Sequence, residues 1–420
     1  MYNLRDPMSN LHHLRPGPAA GVRFKQVQEA KDMEKAVRHR ANRLNIDVPP
    51  YDLLELIGKG SFGRVFKSRR HKERSLVAVK IIDVDSSDYK LAPMEKDQAI
   101  KDFTTEINIL LTLKEAEAKN INTIYEAFSF HSQLWIVSEY CPGGSVHTLM
   151  KASPRPGLEE KYVIAISREL AVAMSHVHKV GVIHRDIKAA NILITQEGRL
   201  QLCDFGVSGV LESSVAKRST IIGTPFWMPP EMHDDTMNIS VPQGYGQEID
   251  TWAYGCTVFE LATGLPPNAR IDPRRLQTKL KQVPRLEGEA YSDTLKDFVS
   301  FCLVERPGSR PNADAILNHS YIYNSAKNYP TAILRELIDR FNNWEQSGGQ
   351  RTSLFNPLAG AIGPLQLDPQ ATMEDDWNFS SDGTDLDGGH DNGVFADTAE
   401  GIPTTAVSYT HLTLPTIYSV

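Results

Sequence analysis

Between Tyr51 and about Asn324 the spacing of apolar residues changes period once, and that change limits the architecture more than any other feature. The first part, in RVFKS, LVAVKII and LWIVSEY, alternates every second position, the pattern of strands with one buried face. The later part, in EKYVIAISRELAVAMSHVHKV, IDTWAYGCTVFELAT and SDTLKDFVSFCL, runs in long stretches of helical spacing. A mostly-β portion followed by a mostly-α portion predicts an α+β chain with two lobes.

The 420 residues are 41% hydrophobic and 23% charged, which is ordinary globular composition and excludes a wholly disordered, collagen-like or coiled-coil chain. A chain of this length can bury a core without covalent staples. Cys141, Cys203, Cys256 and Cys302 stand far apart with no CxxC pair, which argues against a disulfide framework or zinc site and fits a reducing compartment. No apolar run approaches the roughly 18 residues that a membrane span needs, and MYNLRDPMSN lacks the apolar core of a signal peptide. The expectation is a cytoplasmic protein with no membrane span.

The net charge of -7 is unevenly spread. Residues 346–420 carry ten acids against the single base Arg351, so the body before them is close to neutral. A body without a basic patch excludes nucleic acid as an expected partner. Residues 1–20 have few apolar groups and no period, and are expected to be disordered. Residues 21–50 form an N-terminal extension in which Val27, Ala30, Val37, Ala41 and Leu44 recur at mostly helical steps, predicting an amphipathic helix that ends before Pro49-Pro50 and packs on the following domain. Residues 325–346 hold Ile333, Leu337, Phe341 and Trp344 on one helical face, which should dock on the helical lobe. The acidic stretch 347–406 has no period and should be disordered, and 407–420 resembles a translated fusion scar after which the natural C-terminus is missing.

Four motifs carry chemistry. Ile57-Gly58-Lys59-Gly60-Ser61-Phe62-Gly63-Arg64-Val65 is a GxGxxGxV run in which glycines let backbone amides approach phosphates. A dinucleotide loop needs a helix directly after its glycines, whereas this chain continues as the strand-like RVFKSR. Val77-Ala78-Val79-Lys80 puts a lysine on one side of a strand, where its ammonium can reach α- and β-phosphates. Such a lysine needs an acidic partner, and Glu106 in IKDFTTEINILLTL is the candidate, with the long spacing assigned to a loop around Ser86–Pro93. Alone, Lys80 reads by default as a surface residue of an exposed strand, and only the motifs that follow change this. His184-Arg185-Asp186-Ile187-Lys188-Ala189-Ala190-Asn191 contains an aspartate able to accept a hydroxyl proton, a lysine able to neutralise a transferring phosphoryl, and an asparagine able to ligate Mg²⁺. Asp204-Phe205-Gly206 adds a second metal ligand.

In this order and at these spacings, the four motifs resemble the eukaryotic protein kinases from about Tyr51 to Asn324. HRDIKAANIL, DFGVSG and GTPFWM resemble the sterile-twenty group of Ser/Thr kinases, and LRELIDRFNNW at 334–344 resembles the helix after the kinase domain in its germinal-centre subgroup. The resemblance implies a bilobal kinase fold over 51–324 with a small mostly-β N-lobe and a large mostly-α C-lobe. It implies transfer of the γ-phosphoryl of Mg-ATP to Ser/Thr hydroxyls of protein substrates, with ATP and Mg²⁺ as cofactors. Asp186 is then base and orienter, Asn191 and Asp204 hold Mg²⁺, Lys80 with Glu106 positions ATP, and Lys188 stabilises transition-state charge. Val65, Ala78 and Leu193 sandwich adenine, Glu139 and Cys141 offer hinge backbone groups, and Ser138 is a small gatekeeper that leaves space behind the base. Leu110, Ile124, His184 and Phe205 match the stack linking the lobes of an active enzyme.

The resemblance also makes Thr220 the activating phosphosite, Thr224 a contact to the catalytic loop, and Arg185 the phosphate receiver. Asp250 is expected to anchor the catalytic loop. The usual Ala-Pro-Glu stands as Pro229-Pro230-Glu231, with Glu231 kept as partner of Arg310. Trp377 and Phe379, flanked by acids, resemble a motif by which related kinases engage an armadillo-type scaffold; the N-terminal helix is a second candidate for that contact, and a homodimer is left open. The resemblance suggests signalling in polarity, morphogenesis or septation. The rival is a pseudokinase-like scaffold acting through partner binding, which requires a missing lysine, aspartate or metal ligand.

Overall fold

The computed structural model describes residues 18–60, 63–83, 93–205, 225–232, 246–271 and 283–349. Ser61, Phe62, Gly206, Thr220, Thr224, Trp377 and Phe379 lie outside the described residues, as do the expected loop and the acidic tail.

Five strands form one antiparallel sheet: β1 (Tyr51–Gly60), β2 (Gly63–Arg70), β3 (Leu76–Asp83), β4 (Ile124–Phe130) and β5 (Gln133–Glu139), in the order β1-β2-β3-β5-β4. The period of two sorts β3 onto two faces. Val77, Val79 and Ile81 join Leu53, Leu56, Phe66, Trp135 and Val137 in a core covered by α1 (Pro18–Leu44). Ile82 points the other way and packs with Phe103, Ile107, Ile124, Leu134 and Ile136 under α2 (Pro93–Glu115). Sheet residues between two helices must be apolar on both sides, which accounts for the unbroken buried apolar run Leu134–Val137 in β5.

The buried stripe of α1 is Gln26, Ala30, Met33, Val37 and Ala41. The sequence expectation chose Val27 and Leu44 instead of Gln26 and Met33; Val27 is only half-buried, and Leu44 is exposed at the end of the helix. Val27 sits about 100° round the helix from Gln26, off the face that the sheet covers, whereas Leu44 shares that face and is exposed because it ends the helix.

The helical part is built on α3 (Val146–Met150), α4 (Glu160–Lys179), α5 (Glu248–Thr263), α6 (Asp293–Cys302) and α7 (Ala313–Leu317), with a hairpin of β6 (Ile192–Ile194) and β7 (Leu200–Leu202) at its upper edge. Almost every residue of α5 is buried, so the helix is covered all round, with the polar Asp250, Thr251, Thr257 and Glu260 inside as well, and it serves as the axis of the lobe. A turn at Thr331–Leu334 leads into α8 (Arg335–Gln346). Its buried residues are Leu337, Ile338 and Phe341, joined by Leu334 from the turn, while Ile333 and Trp344 are partly buried at the margin. Ile333 therefore precedes the helix it was expected to begin. Arg340 pairs with both carboxylate oxygens of Glu159 at 2.9 and 2.8 Å, and Glu336 accepts from Tyr162 Oη at 2.7 Å. These bonds tie α8 to the start of α4.

Candidate active site

The alternation that buries Val77 and Val79 sends Ala78 and Lys80 to the opposite face of β3, toward α2 and the helical lobe. Lys80 Nζ lies 3.1 Å from Glu106 Oε1 and 3.0 Å from Asp204 Oδ1. Burial works against the lysine charge, but the carboxylates of Asp204 and Glu106 outweigh it and hold the lysine pKa above its usual range. The Lys80 ammonium in turn holds Asp204 below the ordinary carboxylate range. Burial raises Glu106, and its opposition by Lys80 does not restore it. One cation thus ties a strand, a helix and the segment after β7 together.

The loop between α4 and β6 collects the next group. Asn191 Nδ2 donates to the Asp186 carbonyl and to Asp186 Oδ2, both at 2.8 Å, and Lys188 Nζ stands 2.8 Å from the same Oδ2. With its amine turned to Asp186, Asn191 has its oxygen as the group for a cation. The backbone is strained here: Arg185 and Asp204 have φ of 68° and 66°, in the left-handed region that side chains disfavour. Asp250, fully buried on α5, accepts from the backbone amides of His184 and Arg185 at 2.8 Å each and lies 2.9 Å from His178 Nε2. The cost of the turn at Arg185 is offset by these bonds. Glu260, also on α5, accepts from Ala189 N at 3.1 Å and from Trp227 Nε1 at 3.2 Å. Glu260 was missed in sequence, although a carboxylate inside the apolar run TVFELAT is a visible signal.

Ile57, Gly58, Val65, Ala78, Ser138 and Leu193 are half-buried, and Lys59 is exposed. Register brings four of them together with Lys80: Gly58 faces Val65, Val65 faces Lys80, and Ala78 faces Ser138. Gly60 ends β1. A Cβ on Gly63 would meet the Ile81 carbonyl oxygen at 2.8 Å, so the close approach of β2 to β3 requires glycine. Glu139 ends β5, and Cys141 follows two residues on. Cys203 is a free thiol whose Sγ donates to the Asn191 carbonyl at 3.3 Å, and burial raises its pKa well above the usual value.

The His184 and Phe205 rings meet edge to face with centroids 4.7 Å apart, and Ile124 and Leu110 continue from them toward the sheet. Leu110 touches both the helical core and the core under α2. Arg310 forks onto Glu231 at 2.6 and 2.8 Å. Arg185 is exposed.

The donor set fits a nucleotide and Mg²⁺. A cation fixed between two carboxylates suits phosphate oxygens, and an amide oxygen beside a depressed carboxylate is the hard-oxygen set that Mg²⁺ takes.

The profile of the protein kinase domain matches residues 51–322. Serine/threonine-protein kinase ppk11 of Schizosaccharomyces pombe is 38% identical over 299 residues, 71% of this chain and 88% of its own length. Serine/threonine-protein kinase KIC1 of Saccharomyces cerevisiae is 40% identical over 292 residues, 68% of this chain, and dst1 of Dictyostelium discoideum is 36% identical over 315 residues, 72% of it. The chain spans 25% of KIC1 and 39% of dst1. With a sheet lobe on a helical lobe and this match over most of its length, the chain belongs to the protein kinase family, among the Ser/Thr kinases of the sterile-twenty, germinal-centre type.

Proposed function

We propose that the chain transfers the γ-phosphoryl group of ATP to Ser and Thr hydroxyls of protein substrates in the cytoplasm. The observation that carries this reading is Lys80 held between Glu106 and Asp204 while Asp186 is oriented by Asn191 and Lys188. Lys80 binds the α- and β-phosphates. Asp186, with one oxygen engaged by Asn191 and Lys188, orients the incoming hydroxyl and accepts its proton. Lys188 offsets charge on the transferring group. Asn191 and Asp204 would hold Mg²⁺, which when bound supplies charge neutralisation to the phosphates. Most of the barrier reduction comes from positioning and electrostatics. The purine edge meets the Glu139 carbonyl and the Cys141 amide, between Val65, Ala78 and Leu193, with Ser138 behind it.

Activation is assigned to phosphorylation of Thr220, whose added charge of about -1.5 to -2 would be received by Arg185. Thr224 completes the catalytic loop contact. Trp377 and Phe379 would engage an armadillo-type scaffold, and the pathway would be polarity, morphogenesis or septation. A scaffold without catalysis is disfavoured because Lys80, Asp186, Asn191 and Asp204 are all present. The reading is tested by phosphoamino acid analysis of a generic basic protein incubated with the full chain and Mg-ATP. Phosphoserine and phosphothreonine are expected, with Thr220→Ala strongly reduced; phosphotyrosine as the main product would refute it. Full activity of both Thr220→Ala and Thr224→Ala would remove the activation scheme, and unchanged partner recovery with Trp377→Ala would remove the docking motif.

A further inference from the structure

Behind the end of β5 lie two amide side chains that none of the motifs contains. Asn122 precedes β4 and Gln201 sits in the middle of β7, and both are buried at 9% and 8% exposure. Asn122 Nδ2 donates to the Glu139 carbonyl oxygen at 3.1 Å and to Gln201 Oε1 at 2.7 Å. Gln201 Nε2 donates to Glu139 Oε2 at 2.7 Å, and the Cys141 thiol donates to Gln201 Oε1 at 3.1 Å. Burial, and next the Glu139 charge, push the Cys141 thiol up to about 12, so it keeps its proton at neutral pH.

The direction of each bond is forced. A carbonyl can only accept, and so can an ionised carboxylate. Gln201 must therefore turn its amine to Glu139 and its oxygen to Asn122 and Cys141. Both amine hydrogens of Asn122 are then committed. The Asn122 backbone amide adds a bond to the Leu202 carbonyl at 2.9 Å, which fastens the pair to β7, the strand running into Cys203 and Asp204.

Glu139 and Cys141 are the residues placed above at the purine edge. A carbonyl held by Asn122 keeps its second lone pair for one more donor. An exocyclic amine supplies that donor, whereas an exocyclic keto oxygen sets acceptor against acceptor. Asn122 has no hydrogen left with which to relieve the mismatch.

We propose that the Asn122–Gln201 amide pair is a positioning element that fixes the Glu139 carbonyl and thereby sets selectivity for 6-amino over 6-oxo purine nucleotides. The inference rests on the purine-edge assignment of Glu139. Removing either amide frees the carbonyl to turn, which weakens ATP and relaxes the rejection of GTP.

The test measures Kd for ATP and for GTP in Mg²⁺ by displacement of a fluorescent ATP analogue from the full chain. Wild type, Asn122→Val and Gln201→Met are compared. ATP is expected to weaken by about 5- to 10-fold in each variant, the loss of about one hydrogen bond, with GTP unchanged or tighter, so the ATP-to-GTP preference falls by at least that factor. A merely structural role would weaken both nucleotides alike. Equal weakening, or a preference within about twofold of wild type in both variants, overturns the proposal. Gln201→Met nearly conserves volume and should fold, so it decides alone if Asn122→Val does not accumulate. A wild type that binds neither nucleotide overturns this proposal together with the purine site, whereas ATP binding with an unchanged preference overturns this proposal alone.

Discussion

Replacing Arg310 by lysine keeps the charge and should still damage the protein. The Arg310 side chain is fully buried and uses all of its donor directions. Nε donates to the Val304 carbonyl at 2.8 Å, Nη1 to Glu231 Oε1 at 2.6 Å and the Glu248 carbonyl at 3.1 Å, and Nη2 to Glu231 Oε2 at 2.8 Å and the Glu305 carbonyl at 3.0 Å. The guanidinium also lies over the Trp252 ring at 5.0 Å. A lysine has three donors on one atom and cannot span this set, so at least two buried acceptors lose their partner. At about 1–2 kcal/mol for each unmet buried group, Arg310→Lys costs about 2–4 kcal/mol. Arg310→Met leaves the Glu231 carboxylate without its cation and costs about 3–5 kcal/mol. For a domain of this size about 2 °C accompanies each kcal/mol, so the lysine variant should melt about 4–8 °C lower. Scanning calorimetry at one fixed scan rate reads the shift. A lysine variant melting within about 1 °C of wild type would mean that the fork geometry is worth nothing here and only charge matters.

Three further outcomes follow from other contacts. A Cβ on Gly143 would meet the Ile194 carbonyl oxygen at 2.5 Å and Ile338 Cδ1 at 2.8 Å, whereas one on Gly144 meets nothing within 4 Å. Gly143→Ala should therefore cost about 1–3 kcal/mol through crowding and Gly144→Ala, at φ +68°, about 1 through backbone strain alone; urea unfolding that ranks them the other way contradicts the packing of α8 on this segment. The folded pKa of Asp204 is depressed, so its stabilisation is present above the ordinary carboxylate range and is lost as pH falls through the folded value. The melting difference between wild type and Asp204→Asn should accordingly shrink from pH 7 to below about pH 4, and a difference that grows on acidification would reverse the sign of the argument. With its thiol pushed up to about 12, Cys141 should resist iodoacetamide at neutral pH in the native protein and react only after unfolding, as mass spectrometry would show.

The division into a sheet lobe and a helical lobe was legible because periodicity is local: β3 reveals its two faces in eight residues. The Lys80–Glu106 pair was legible from the need of a strand lysine for an acidic partner, but nothing in either segment states that they lie 3.1 Å apart. The stripe of α1 was half legible. Ala30, Val37 and Ala41 are where a helical period puts them, but its phase is set by the sheet beneath, which brings in Met33, and Leu44 is exposed because it ends the helix. The Asn122–Gln201 pair was not legible at all. It joins residues distant in sequence: Gln201 interrupts the apolar Leu200–Cys203, Asn122 stands among the polar Asn120 and Thr123, and only packing shows that the two meet. The seating of Ile338 against Gly143 has the same character: glycine reads as a turn, and the reason for it stands on another helix.

The most direct test is phosphoryl transfer from γ-labelled ATP to a basic protein by the full chain in Mg²⁺, wild type beside Asp186→Asn, with the ATP Kd of both measured in parallel. If Asp186 orients the hydroxyl and takes its proton, transfer should fall by about 10²–10⁴-fold in the variant while the Kd stays within about threefold, because Asp186 meets the hydroxyl and not the nucleotide. Wild type that binds ATP and transfers nothing, or an Asp186→Asn variant that transfers at the wild-type rate, would contradict the account.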